Sequence, residues 1–220
     1  MANRKSYAIL GLGVFGSTIA KTLSMFNYDV IAIDRDMVCV DRLSDDVSSA
    51  IQADITDIDQ LRAAGVSDVD CAIVATGTHL EDSIMAVMSL KELGIPYVVA
   101  KAKNKKYMQI LEKVGADRVI RPEKEMGVRV AKQLVSSNIV DLIDVDDEYS
   151  LIEIIAPKAW VNSTLSNLDL RGKFGVNIIG IRKSPTAKLS ISPGANYIIE
   201  PTDILVIIAE KTKFEKITLE

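Results

Sequence analysis

The chain has 220 residues, 48% of them hydrophobic, with a net charge of −4 and only 5% aromatic residues. That is ample material for a core, in one large domain or two small ones. It argues against a nucleic-acid module, which needs a basic surface for phosphates or stacking platforms for bases. The two cysteines, Cys39 and Cys71, lack CxxC spacing, so they read as small packing hydrophobes in a reducing cytoplasm, not as a disulfide scaffold or zinc ribbon.

At the N-terminus, Arg4 and Lys5 precede an uncharged run from Ser6 to Ala20 that imitates a secretory signal. A signal's apolar region is a continuous helix, whereas this run is broken by Gly11, Gly13 and Gly16. It also falls short of the about 20 apolar residues that a membrane-spanning helix needs, so a soluble chain is expected. Beyond it, short apolar runs alternate with segments of helical periodicity. Strands are predicted at Tyr7–Leu10, Val30–Ile33, Ser49–Gln52, Cys71–Ala75, Val98–Lys101 and Arg118–Ile120. Helices are predicted at Phe15–Phe26, Leu80–Leu93 and Lys105–Val114, with a last one from Glu123 to Val140. The strand runs are continuously apolar, as in strands covered on both faces, which predicts an α/β fold with a doubly wound, Rossmann-like parallel sheet over residues 1–140.

Gly11-x-Gly13-x-x-Gly16 follows the first strand directly and opens the first helix, the context in which this motif carries weight. Gly11 permits the tight turn, Gly13 lets backbone approach a pyrophosphate, and Gly16 lets helix and strand pack closely. Phosphates would meet unpaired N–H groups at the positive end of the helix. Asp34 closes the second strand where a carboxylate accepts hydrogen bonds from ribose hydroxyls, and its charge disfavours a 2′-phosphate. The alternative is a tight turn without a ligand, with Asp34 capping the loop.

Catalytic groups have to be sought separately, because a dinucleotide site does not make an enzyme. Tyr97 and Lys101 have the spacing of a helical Tyr-Lys pair, but they fall on a predicted strand, where four residues separate them by about 13 Å. His79, the single histidine, has no evident carboxylate partner and reads as a loop or helix-start residue. No second domain is large enough to hold a substrate opposite a nicotinamide, so a sensor is expected, with a small NAD-dependent oxidoreductase as the alternative.

The acidic stretch "DLIDVDDEYS" reads as a break, giving a linker at 141–147 and a second domain at 148–220. There "YSLIEIIA", "VNIIGIRK", "AKLSIS" and "DILVIIAE" read as strands, "STLSNLDL" as one short helix and "KTKFEKIT" as a closing helix. So small an α+β lobe has little core of its own and is expected to pair with a second copy. Its polar cluster Asp169, Arg171, Lys173 and Asn177 lies in "NLDLRGKFGVNIIGI". Spacing alone favours reading it as a solvated turn broken by Gly172 and Gly175, over reading it as a binding segment.

Nearly the whole chain resembles one family. "ILGLGVFGSTIAKTL", "VIAID", "ADITD", "IVATGT", "KAKN", "LEKVGADRVIRPEKEMGVRVA" and "NLDLRGKFGVNIIGI" are similar to segments of Ktr/Trk-type potassium-uptake regulatory subunits. These join a nucleotide-binding RCK (KTN) domain to a small RCK-C domain. The resemblance implies homodimers assembled into an octameric cytosolic ring, docked on a KtrB- or TrkH-like membrane potassium-translocating subunit that the ring gates. It implies ATP or ADP, or NAD(H), above the strands.

Carried over by position, the resemblance places phosphates at Gly11 to Gly16, including Val14 and Phe15, and the ribose at Asp34 beside Arg35. Ala53 and Asp54 would flank the adenine, and Ala75, Thr76 and Gly77 would line the crevice with Lys101 nearby. Glu123 resembles the family glutamate that reaches the phosphates or a divalent cation. Val14 stands where ATP-responsive members carry an arginine, which weakens the preference for ATP over ADP or NAD(H). In the second domain the resemblance implies cyclic di-AMP bound across a twofold axis by Leu165, Asp169, Arg171, Asn177 and Ile178, with Pro193 near the ligand. Arg171 would grip a phosphate, Asp169 would orient that guanidinium, and Asn177 would pair with an adenine edge.

Overall fold

In the computed structural model, residues 5–77, 79–135 and 138–212 are described. The chain packs as two units, Met1–Glu123 and Lys124–Glu220. The first holds six parallel strands: β1 (Ser6–Leu10), β2 (Asp29–Asp34), β3 (Ser49–Gln52), β4 (Cys71–Val74), β5 (Tyr97–Lys101) and β6 (Arg118–Ile120). Their order is β3-β2-β1-β4-β5-β6, the doubly wound Rossmann-like arrangement predicted from the sequence.

The strands read as unbroken apolar runs because successive residues enter two different cores. Ala8 and Leu10 of β1 pack with Leu61, Leu90 and Leu111, which come from α3 (Ile58–Ala63), α4 (Leu80–Glu92) and α5 (Lys105–Val114). Ile9, between them, packs on the other face with Ala20 of α1 (Val14–Met25) and Val40 of α2 (Met37–Asp41). Each leucine or isoleucine so buried contributes roughly 1.5–3 kcal/mol, which keeps the strand runs apolar on both faces.

Side-chain caps start three of these helices. Asp36, Asp57 and Asn104 accept N–H groups from the first turns of α2, α3 and α5. Helix α1 departs from this: Gly13 precedes it with no side-chain cap, and its first turn carries no acidic residue.

Helix α6 (Pro122–Val135) crosses from the first unit into the second. The second unit continues with β7 (Ile139–Asp144), β8 (Tyr149–Ile155), α7 (Leu165–Leu168), α8 (Leu170–Phe174), β9 (Asn177–Arg182), β10 (Ser190–Ile191) and β11 (Ile204–Glu210). The strands form an antiparallel sheet in the order β10-β9-β11-β8-β7. Ile152 and Ile154 of β8 and Leu205, Ile207 and Ala209 of β11 turn one face inward, onto Trp160, Leu170 and Val176.

The second half departs from the sequence reading in three places. The last helix ends at Val135, and residues 141–144, expected in a linker, belong to strand β7 paired with β8. The acidic residues there do not mark solvent: Asp141 accepts from Arg129 Nε at 2.8 Å, Asp144 from Lys132 Nζ at 2.7 Å, and Ile139 and Leu142 pack on the core. The helix expected in "STLSNLDL" is only α7, which stops at Leu168 because Asp169 adopts a left-handed φ of +45°, and the segment read as a turn around Gly172 is the short helix α8, with the Asp169 carboxylate capping Gly172 N–H at 3.2 Å. The strand expected in "AKLSIS" is only the two residues of β10. The closing helix expected in "KTKFEKIT" lies largely outside the described residues.

Candidate functional site

The glycine turn between β1 and α1 is fixed from both sides. Gly11 has φ +95°, donates its N–H to Ile33 O at 2.8 Å, and packs so closely on the loop after β4 that a Cβ would lie 3.1 Å from Thr76 N. A Cβ on Gly16 would lie 1.9 Å from Gly11 O, so only glycine lets α1 approach the turn. Around Gly13 there is open space, with no atom within 4 Å of where a Cβ would stand. Two of the three glycines therefore serve the fold, and the third leaves room above the start of α1.

Asp34, the last residue of β2, is bound into the same turn. Its Oδ2 accepts Leu12 N–H at 2.6 Å and its Oδ1 accepts Asp36 N–H at 2.9 Å. A carboxylate offers about four acceptor positions, so these bonds leave capacity for a ribose hydroxyl. Gln52 at the end of β3 donates to Arg35 O at 3.0 Å, and Ala53 N–H to Asp34 O at 3.1 Å, which ties the ends of β2 and β3 together. Thr56 holds the Asp54 carboxyl below its ordinary value, through its N–H first and its hydroxyl second. Ala75, buried, and Thr76 and Gly77, half-buried, follow β4.

Lys101 closes β5. Its ammonium stands 5.6 Å from the centre of the Phe15 ring, in the first turn of α1, and 2.5 Å from Glu123 Oε1, in the first turn of α6. Its side chain is 17% exposed, against 68% for Glu123. The hydrogen bond from Lys101 holds the Glu123 carboxyl below its ordinary value. Val14, at the mouth of the turn, is 89% exposed. The residues singled out in the first domain thus follow the carboxyl ends of neighbouring strands, where ligands of open α/β sheets bind. The ion pair and the bond from Leu12 to Asp34 had no sequence signal, since each joins residues far apart in the chain.

In the second unit, Leu165 opens α7, Arg171 lies exposed on α8, and Asn177 and Ile178 begin β9. The loop carrying Pro193 is tied to both sides of this segment: Ser192 N–H donates to Ile179 O at 2.8 Å and Ser166 N–H to Ala195 O at 2.9 Å. Leu165 N–H donates to Tyr197 O at 3.1 Å. Asp169, whose expected role was to orient Arg171, spends an oxygen on capping α8.

Tyr97 and Lys101 stand at opposite ends of β5. His79 is exposed and precedes α4. Among the described residues no group of three or more His, Cys, Asp and Glu is placed to hold a metal ion, and no helix is long and apolar enough to cross a membrane. A single carboxylate such as Glu123 suits only a hard cation that keeps water and phosphate ligands.

Comparison with known proteins fits this architecture. The TrkA-N domain model matches residues 7–122 and the TrkA-C domain model residues 150–219. The Ktr system potassium uptake protein C of Bacillus subtilis is 37% identical over 216 residues, covering 97% of both chains. The Ktr system potassium uptake protein A of the same organism is 34% identical, covering 96% of this chain and 95% of its own. Among solved structures, the GsuK channel bound to NAD superposes with a TM-score of 0.67 at 16% identity, over 96% of this chain and 38% of that one, a likeness of fold. The chain belongs to the Ktr/Trk potassium-uptake family, as a TrkA-N domain followed by a TrkA-C domain.

Proposed function

We propose that this chain is a cytosolic gating subunit, not an enzyme, which docks on a membrane potassium-translocating subunit of KtrB or TrkH type. It would do so as homodimers assembled into an octameric ring. The observation that carries this reading is the match to Ktr uptake proteins over 97% of both chains, coinciding with a glycine turn whose open position is Gly13. An adenine nucleotide, ATP, ADP or NAD(H), would place its phosphates over Gly11, Gly13 and Gly16 and its ribose at Asp34. The adenine would lie by Ala53 and Asp54, with Ala75, Thr76 and Gly77 along the crevice. The NAD bound to GsuK, a protein of the same fold, supports this ligand class. Glu123 would supply one ligand to a divalent cation whose remaining ligands are phosphate oxygens and water, where it would offset phosphate charge.

The second domain would take cyclic di-AMP through Leu165, Asp169, Arg171, Asn177, Ile178 and Pro193 of two copies, one half of the ligand to each. Ligands of either kind act by binding one ring shape better than another. The test is calorimetric titration of the full chain with ATP, ADP, NAD, NADH and cyclic di-AMP. Saturable binding of an adenine nucleotide, and of cyclic di-AMP in a manner abolished by Arg171→Ala, is the expected result. Absence of nucleotide binding overturns the first site, and cyclic di-AMP binding indifferent to Arg171→Ala overturns the second.

A further inference from the structure

Lys101 stands over the first turn of α1, its ammonium 5.6 Å from the centre of the Phe15 ring, and it is already engaged by an anion of the chain itself. Its stem runs beside Gly77, with Cε 3.4 Å from where a Cβ would stand, and its side chain is largely buried. The ammonium is therefore held in place. Its partner is not: the Glu123 carboxylate is more than half exposed and sits in the first turn of a different helix. In such a pair the buried member stays and the exposed member leaves.

The arriving group would be anionic. The start of α1 has open space at Gly13 and neither a capping side chain nor an acidic residue in its first turn, so the helix itself adds no negative charge against a phosphate, and the nearby Asp34 carboxylate is occupied with Leu12 N–H. Val14 brings no charge. We propose that Lys101 is the phosphate-selecting cation of the nucleotide site, and that Glu123 is an internal anion which bound phosphate displaces from it. The inference rests on the nucleotide reading given above. It makes phosphate binding an exchange: Lys101 trades one anion for another, and the first turn of α6 loses its tie to β5. Nucleotide affinity is then lowered by the pair in the free chain, while an unphosphorylated ligand gains nothing by opening it.

The experiment uses the full chain in chelator, titrated with adenosine and with ADP by calorimetry. Lys101→Met should weaken ADP roughly tenfold or more, the usual weight of a charge-assisted contact, and leave adenosine unchanged. Glu123→Gln should tighten ADP roughly two- to fivefold, because a partly exposed ion pair is a weak competitor. Lys101→Arg should retain ADP binding, which keeps the test sound if Lys101→Met folds poorly. Two results overturn the inference while the nucleotide site stands: Glu123→Gln weakening ADP without metal, or ADP exceeding adenosine by the same ratio in Lys101→Met as in the parent. Binding of neither adenosine nor ADP by the parent chain overturns the nucleotide reading, and the inference with it.

Discussion

Gly16 and Gly13 stand in one turn and answer to different demands. A Cβ at Gly16 would meet Gly11 O at 1.9 Å, so Gly16→Ala must push α1 off β1. A loss of about 1–3 kcal/mol, the range for overpacking, should appear in thermal or urea unfolding. At Gly13 a methyl group meets nothing and φ is −63°, so Gly13→Ala should change stability by under about 1 kcal/mol. The same variant should weaken ADP binding roughly tenfold, since the methyl group occupies the approach of the phosphate. Equal ADP affinity in Gly13→Ala and the parent would place the phosphates elsewhere. Asp34 combines both demands, because its carboxylate already secures Leu12 N–H. Asp34→Ala should therefore cost nucleotide affinity tenfold or more, by roughly 1.5–3 kcal/mol, and lower the melting temperature as well. The glycines and Asp34 were legible in the sequence because each sits at a fixed offset from one strand. The capping role of Asp34 was legible only as the alternative to ribose binding, and its partner Leu12 was not legible, because it lies on another strand's loop.

Among the elements, α6 with β7, and β9 with β11, are joined by ionic groups that local sequence presents as solvated. Arg129 makes a two-pronged contact with Asp141, with Nη2 to Oδ2 as its second bond, and Lys132 holds Asp144. Arg129→Gln should speed amide hydrogen exchange along β7 relative to β11. Exchange unchanged there would make the pair incidental. Deeper in the unit, Asp203 is fully buried at the start of the β11 turn. Burial acts to raise its carboxyl, but Glu200 N–H at 2.9 Å, Lys183 Nζ at 3.0 Å and the Tyr197 hydroxyl at 2.8 Å outweigh it and hold it below its ordinary value. The unfolded chain then binds this proton more readily than the folded one, so stability is fully present above the ordinary carboxylate range. It is lost as pH falls through the folded value. Asp203→Asn should lower stability at pH 7 by about 1–3 kcal/mol and flatten the acid limb of the unfolding curve below the ordinary carboxylate range. An acid limb as steep as the parent's would assign it to other groups, of which Asp141 and Asp144 are held low in the same way.

At the scale of the whole molecule, Met126, Val130 and Leu134 lie exposed at four-residue intervals, on one stripe of α6. The proposed assembly would bury this stripe if a second copy packs on it. Leu134→Glu should then shift the chain to a smaller species in sedimentation velocity, and an unchanged distribution would separate the stripe from assembly. The sequence by itself determined the six parallel strands of a doubly wound sheet and the glycine turn with Asp34. Strands buried on both faces and a turn bound to its own helix write their requirements into contiguous residues. Tertiary structure alone decided that Ile139–Asp144 is a strand and that Lys101 is held by Glu123. The polar groups of these features look exposed in isolation and are satisfied only by partners brought in from other parts of the chain, so no local period or motif records them.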